Sequence, residues 1–120
     1  MFRIAERIAV QEDCDAIVTG DVMGQKASQT LQNIAATDCV LEKIVVMRPL
    51  VGMNKSQIER YAREVGTYEI SIRPGVSTCG VPTQNPSTNA SRVRLEEVET
   101  KLDVQSMVRR AIRSSRNISV

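Results

Sequence analysis

Few residues in this chain are suited to chemistry, and they fall in three places. Gly20, Asp21 and Gln29 sit where an apolar run, Ala16-Ile17-Val18, gives way to a segment whose apolar residues Ala27, Leu31, Ile34 and Ala35 recur at helical spacing. A strand that turns on glycine into a helix brings backbone N–H groups to the carboxyl edge of a sheet. That edge is where open α/β folds bind nucleotides and other anions. Gly20 lacks a Cβ and lets a ligand approach; the Gln29 amide can meet an adenine or ribose edge; Asp21 can position a metal or a ribose hydroxyl. The same residues also read as plain turn residues and an exposed helical glutamine, because no G-x-x-x-x-G-K-[ST] loop is present. Cys79 alone is placed like a nucleophile, in a Gly/Pro-rich stretch near Arg73 that offers access and a positive field. As a lone loop cysteine it equally suits no chemistry at all. The third place is basic: Arg109, Arg110, Arg113 and Arg116 lie in Gln105–Val120 with no acidic residue among them. They fit a polyanion partner or a merely solvated helix face.

The elements that must position these residues follow from periodicity. Phe2, Ile4, Ala5, Ile8 and Ala9 form one face of a first helix. Ala16–Thr19 reads as a strand, about Lys26 to Thr37 as a helix carrying Gln29 in its first turn, and Ile44–Met47 as a second strand ended by Arg48-Pro49. Strand, crossover helix and strand make a βαβ unit, which implies a parallel sheet. Asn54 caps the next helix with Gln57 three residues on. Ile58, Tyr61, Ala62 and Val65 supply its inner face, and Gly66 ends it. Tyr68–Ile72 reads as a short extended piece. Residues 73–89 form a long surface loop of the kind that usually has a function. Leu95, Val98 and Leu102 mark one C-terminal helix; Asp103 caps a second, with Val104, Met107, Val108, Ala111 and Ile112 aligned. The fold class is α/β: a partial Rossmann-like parallel sheet flanked by helices, with two C-terminal helices. A βαβ-containing core spans 1–72, a cysteine loop 73–89 and a helical C-terminus 90–120.

Composition narrows the function classes. At 120 residues the chain is at most one ordinary domain. With one Phe, two Tyr and no Trp its core must be aliphatic, which argues against a single-strand binder that stacks bases. No apolar run approaches the roughly 20 residues needed to span a bilayer, and Met1–Val10 interleaves charges unlike a signal peptide, so a cytoplasmic protein without membrane attachment is expected. Cys14, Cys39 and Cys79 match no zinc or redox spacing, no metal site is expected, and Cys14 and Cys39 are expected to pack as small hydrophobes. The absence of histidine excludes Cys–His pairs and Ser-His-Asp triads.

Four ordered motifs resemble one family. Val18 to Asn33, with its Thr-Gly-acid-x-x-Gly-Gln-x-x-Ser-Gln-Thr-Leu-x-Asn pattern, is similar to the nucleotide-binding region of tRNA sulfurtransferases, the tRNA 4-thiouridine synthases, some of which also serve thiamine biosynthesis. Arg48-Pro49-Leu50-Val51-Gly52-Met53-Asn54-Lys55 and Gly66-Thr67-Tyr68-Glu69-Ile70-Ser71-Ile72 resemble the next two signatures. Cys79-Gly80-Val81 with Asn85-Pro86-Ser87-Thr88 resembles the loop bearing the family's sulfur-handling cysteine. The resemblance implies an adenine-nucleotide domain of the PP-loop (pyrophosphatase) type, with Gly20 and Gln29 at ATP-contacting positions. ATP, with Mg²⁺ in the complete enzyme, adenylates the C4 oxygen of a tRNA uridine, and a persulfide sulfur displaces AMP. Cys79 matches the cysteine that assists this second step.

The sequence departs from the family in carrying no Ser-Gly-Gly-x-Asp-Ser loop for pyrophosphate. It looks like the C-terminal half of the catalytic domain and is expected to be inactive alone. The implied partners are tRNA, a sulfur carrier or cysteine desulfurase, and either a polypeptide with the missing half or further copies of this chain. The alternative is a non-catalytic module that binds tRNA or a partner protein through its basic C-terminal helix.

Overall fold

The computed structural model describes residues 1–24, 29–74 and 87–116. Two short parallel strands, β1 (Ala16–Val18) and β2 (Val45–Met47), pair in the register Ala16 to Val45, Ile17 to Val46 and Val18 to Met47. β-branched residues dominate both, as a pleated, half-buried surface favours. The Thr19 N–H carries the ladder one step further, donating to the Met47 carbonyl at 3.0 Å. Helix α2 (Leu31–Asp38) lies between the strands in sequence, so the expected βαβ unit with a parallel sheet is present.

Helix α1 (Phe2–Gln11) packs against β1 and against α6 (Val104–Arg113). Ala9, Ala36, Ile44 and Val108, with Val22 from the turn after β1, are the buried apolar residues among those described, and no large side chain there is wholly enclosed. The core is therefore aliphatic and thin. Because the register sets Val18, Val45 and Met47 on one sheet face, their exposures of 66%, 66% and 57% show that face uncovered among the described residues.

Several local signals act as expected. Asn54 and Gln57 form a reciprocal capping box at the start of α3 (Lys55–Glu64), with bonds of 2.8 and 3.0 Å. Gly66 ends that helix at φ +77°, a conformation that costs a residue with a Cβ. Asp103 caps α6 by accepting from the Ser106 N–H at 3.0 Å. Ser91 caps α5 (Arg92–Glu99) in the same way; that helix stops at Glu99, which leaves Leu102 outside it.

Other expectations fail. Tyr68–Ile72 is not extended: Tyr68–Ser71 is a short helix, α4, whose turns close through Ser71 N–H to Thr67 carbonyl and Ile72 N–H to Tyr68 carbonyl. Among the described residues no neighbouring strand is available to pair it, and the backbone satisfies itself locally. Tyr61 and Val65 are exposed rather than inward, with Ile58 and Ala62 the half-buried apolar residues on α3. Cys14 and Cys39 are both exposed rather than packed as small hydrophobes. Cys14 follows α1 and Cys39 follows α2, at helix ends that open to solvent.

Candidate functional site

The carboxyl end of β1 opens onto a cleft of about 710 Å³, bounded by the start of α1, one side of α2 and the α5–α6 pair. Its size falls within the roughly 300–1,000 Å³ of small-molecule sites. Asp21 and Gln29 both line it, so two of the three residues read as a ligand site in the sequence share one wall. Most of the remaining lining is apolar, including Phe2, Ile34, Leu95 and Val104.

Gly20 leads into this wall and is exposed. Its φ is not positive, and a Cβ built on it would meet nothing within 4 Å among the described residues. Neither turn geometry nor internal crowding therefore requires glycine here. Among the described residues the space beside it is open to an approaching molecule.

Asp21 is held in place rather than free. Its Oδ2 accepts the Thr19 hydroxyl at 2.8 Å and Arg48 Nε at 3.1 Å. Arg48 turns the rest of its fork onto both carboxylate oxygens of Asp38, with Nη1 to Oδ2 at 2.9 Å, and its guanidinium lies 5.9 Å from the Phe2 ring centre. The hydrogen bond to Asp38, and secondarily that to Asp21, raise the Arg48 pKa against the opposing effect of burial. One cation thus ties the ends of β1, α2 and β2 together beneath the cleft.

Gln29 is not in a helix, contrary to the sequence reading. It precedes α2 by two residues, because the Thr30 hydroxyl accepts the Asn33 N–H at 3.2 Å and begins the helix at Leu31. Lys26, Ala27 and Ser28 lie outside the described residues. The Gln29 carbonyl accepts the Gly24 N–H at 3.0 Å, folding the chain back on itself.

A feature without an independent sequence signal adjoins Gln29. Asn33, buried in α2, donates its amide to the Ser87 carbonyl at 2.7 Å and accepts the Ala90 N–H at 2.8 Å. Thr30 donates its hydroxyl to the Thr88 carbonyl at 2.7 Å. Ser87–Ala90 is thereby fastened across the start of α2. Thr30 and Asn33 lie in one sequence motif and Ser87 and Thr88 in another, and the spacing of neither encodes the contact.

Cys79 lies outside the described residues, as does most of the 73–89 loop; Ser87, eight positions further along the chain, is where the description resumes. Arg109, Arg110, Arg113 and Arg116 are all exposed and form no ion pair among the described residues, while Val108 buries the opposite face of α6. Arg110 and Arg113 stand in the last turn of the helix, where its dipole also favours cations. Among the described residues no three His, Cys, Asp or Glu side chains gather as a metal site would require. No helix there is long and apolar enough to cross a membrane.

Comparison with known proteins adds an independent line. Residues 1–104 match the family described as Thiamine biosynthesis protein (ThiI). A probable tRNA sulfurtransferase of Moorella thermoacetica is 46% identical over 110 residues, covering 90% of this chain and 28% of that protein. Its counterpart in Alkaliphilus oremlandii is 39% identical over 113 residues, covering 93% and 29%. A crystal structure of a 4-thiouridine synthetase in complex with RNA and with bound ATP superposes at a TM-score of 0.87 and 40% identity, covering 95% of this chain and 30% of that one. The chain spans about three-tenths of the length of the curated relatives it matches.

Proposed function

Because this chain belongs to the ThiI family, we propose that it forms part of a tRNA sulfurtransferase that adenylates a tRNA uridine with ATP and replaces its C4 oxygen by sulfur, with thiamine thiazole sulfur supply as a related use. The observation that carries the reading is the shared cleft: Asp21 and Gln29 face one cavity at the carboxyl end of β1, beside the open Gly20. A homologous ATP-bound and RNA-bound structure of the same fold supports it.

In this reading Gly20 admits the nucleotide, and Gln29 presents its amide to the base or ribose. Asp21, oriented by Thr19 and Arg48, faces a ribose hydroxyl. The apolar walls exclude water around the adenine. ATP supplies the adenylate that turns a poor leaving oxygen into a good one; the pyrophosphate loop and any Mg²⁺ on the phosphates are held by the complementary part of the assembly. A sulfur carrier, itself loaded by a cysteine desulfurase, brings a persulfide whose terminal sulfur attacks C4 and displaces AMP. The Cys79 thiolate then attacks the carrier sulfur. The C4–sulfur group is released as the thione, and the resulting disulfide is reopened by a thiol reductant. Arg109, Arg110, Arg113 and Arg116 neutralise tRNA phosphates. The uncovered sheet face bearing Val18, Val45 and Met47 receives the complementary half of the domain or a second copy of this chain.

Replacing Cys79 by serine in the complete assembly should abolish 4-thiouridine, measured by nucleoside mass spectrometry, while pyrophosphate release from ATP persists. Undiminished thiolation would refute the assigned role.

A further inference from the structure

We infer that Thr30 and Asn33 are positioning residues for the Gln29 wall of the cleft, fixing that wall by fastening it to Ser87–Ala90; the inference rests on the nucleotide reading above. Gln29 lies in no helix or strand, so no ladder of backbone bonds sets its place. Its own carbonyl accepts the Gly24 N–H at 3.0 Å. The next residue, Thr30, does two things with one hydroxyl: it accepts the Asn33 N–H at 3.2 Å and donates to the Thr88 carbonyl at 2.7 Å. Asn33 completes the attachment with bonds of 2.7 and 2.8 Å to Ser87 and Ala90.

Capping alone would need only an acceptor at position 30. The observed hydroxyl is also a donor, and the buried amide three residues later uses both its donor and its acceptor on the same distant segment. A buried amide costs free energy unless so satisfied, so the contact strongly selects one arrangement of α2 against Ser87–Ala90. The side chain that gains from this is the one immediately before Thr30, which faces the cleft.

Capping and fastening separate experimentally at Thr30. Thr30→Asp keeps an acceptor for the Asn33 N–H but has no proton for Thr88, whereas Thr30→Ser keeps both. In the complete assembly, Thr30→Asp should raise both the calorimetric Kd for ATP and the KM for ATP by about tenfold, the loss expected when one hydrogen-bonding side chain no longer reaches its ligand. The fall in kcat should be smaller, the melting temperature should be close to wild type, and Thr30→Ser should restore the wild-type Kd. Asn33→Ala should raise the Kd in the same way and speed hydrogen exchange of the Ala90 amide; if that variant fails to fold, the Thr30 pair still decides. An ATP Kd within twofold of wild type in Thr30→Asp would overturn the inference and leave the nucleotide reading standing. Failure of the wild-type assembly to bind ATP would overturn both.

Discussion

Arg48 is the residue whose loss the structure predicts most sharply. Its side chain is 10% exposed and makes a fork to Asp38, a third bond to Asp21 and a ring contact with Phe2. Removing one partner of a fully buried ion pair costs about 3–5 kcal/mol, whereas exposed pairs are worth about 0.2–1 kcal/mol. The carboxylates here are 31% and 37% exposed and regain water when the cation is lost, so the cost falls between these limits. We expect about 2 kcal/mol for Arg48→Ala, with Arg48→Lys losing about half of that because an ammonium cannot span both oxygens of Asp38. In a chain of 120 residues about 2 kcal/mol corresponds to a fall in Tm of roughly 8 °C. Urea titrations followed by circular dichroism would measure the loss, and a double-mutant cycle with Asp38→Asn should return a coupling of about 1 kcal/mol. An Arg48→Ala variant within about 0.5 kcal/mol of wild type would show that the three element ends are held by something else.

Three further outcomes are expected. The Arg3 hydrogen bond lowers the Glu99 pKa, with burial acting the other way. A carboxylate depressed in the folded state stabilises at pH values above its unfolded pKa. That contribution, about 0.5 kcal/mol after solvent screening, is lost as pH falls through the folded pKa; urea midpoints at pH 7 and pH 3 should therefore converge in Arg3→Gln relative to wild type. Asn54→Ala removes the capping box of α3 and should cost about 1 kcal/mol, read from the same titrations, while Asn54→Ser should cost much less. Reversing charge at Arg109, Arg110, Arg113 and Arg116 should weaken tRNA binding and flatten its salt dependence; an unchanged salt slope would leave α6 a solvated face.

Local rules carried the sequence reading a long way. The Asn54–Gln57 box, the Asp103 cap, Gly66 and the parallel pairing of Ala16–Val18 with Val45–Met47 all depend on neighbours a few residues apart or on a single β-branched run. Tyr68–Ile72 misled because alternation of apolar Tyr68, Ile70 and Ile72 with polar Glu69 and Ser71 suits a strand, yet a strand exists only where something pairs with it. Gln29 misled for a related reason: the apolar spacing continues N-terminally past Thr30, but a hydroxyl that caps at position 30 fixes the helix start. Arg48 with Asp21 and Asp38, and Asn33 with Ser87 and Ala90, were illegible as partners. The latter contacts join residues 54 and 57 positions apart, and no periodicity encodes such a pairing.

The bare strands also bear on how the isolated chain behaves at high concentration. Ile44-Val45-Val46-Met47 is uncharged, β-branched in three of four positions and free of proline, and its outer side meets no other strand among the described residues. An unpaired strand edge of this composition is a template for pairing with another chain. Purified alone, the polypeptide is expected to associate through those edges despite the flanking charges of Lys43 and Arg48, and a lysine placed at the solvent-facing Val45 should reduce that association.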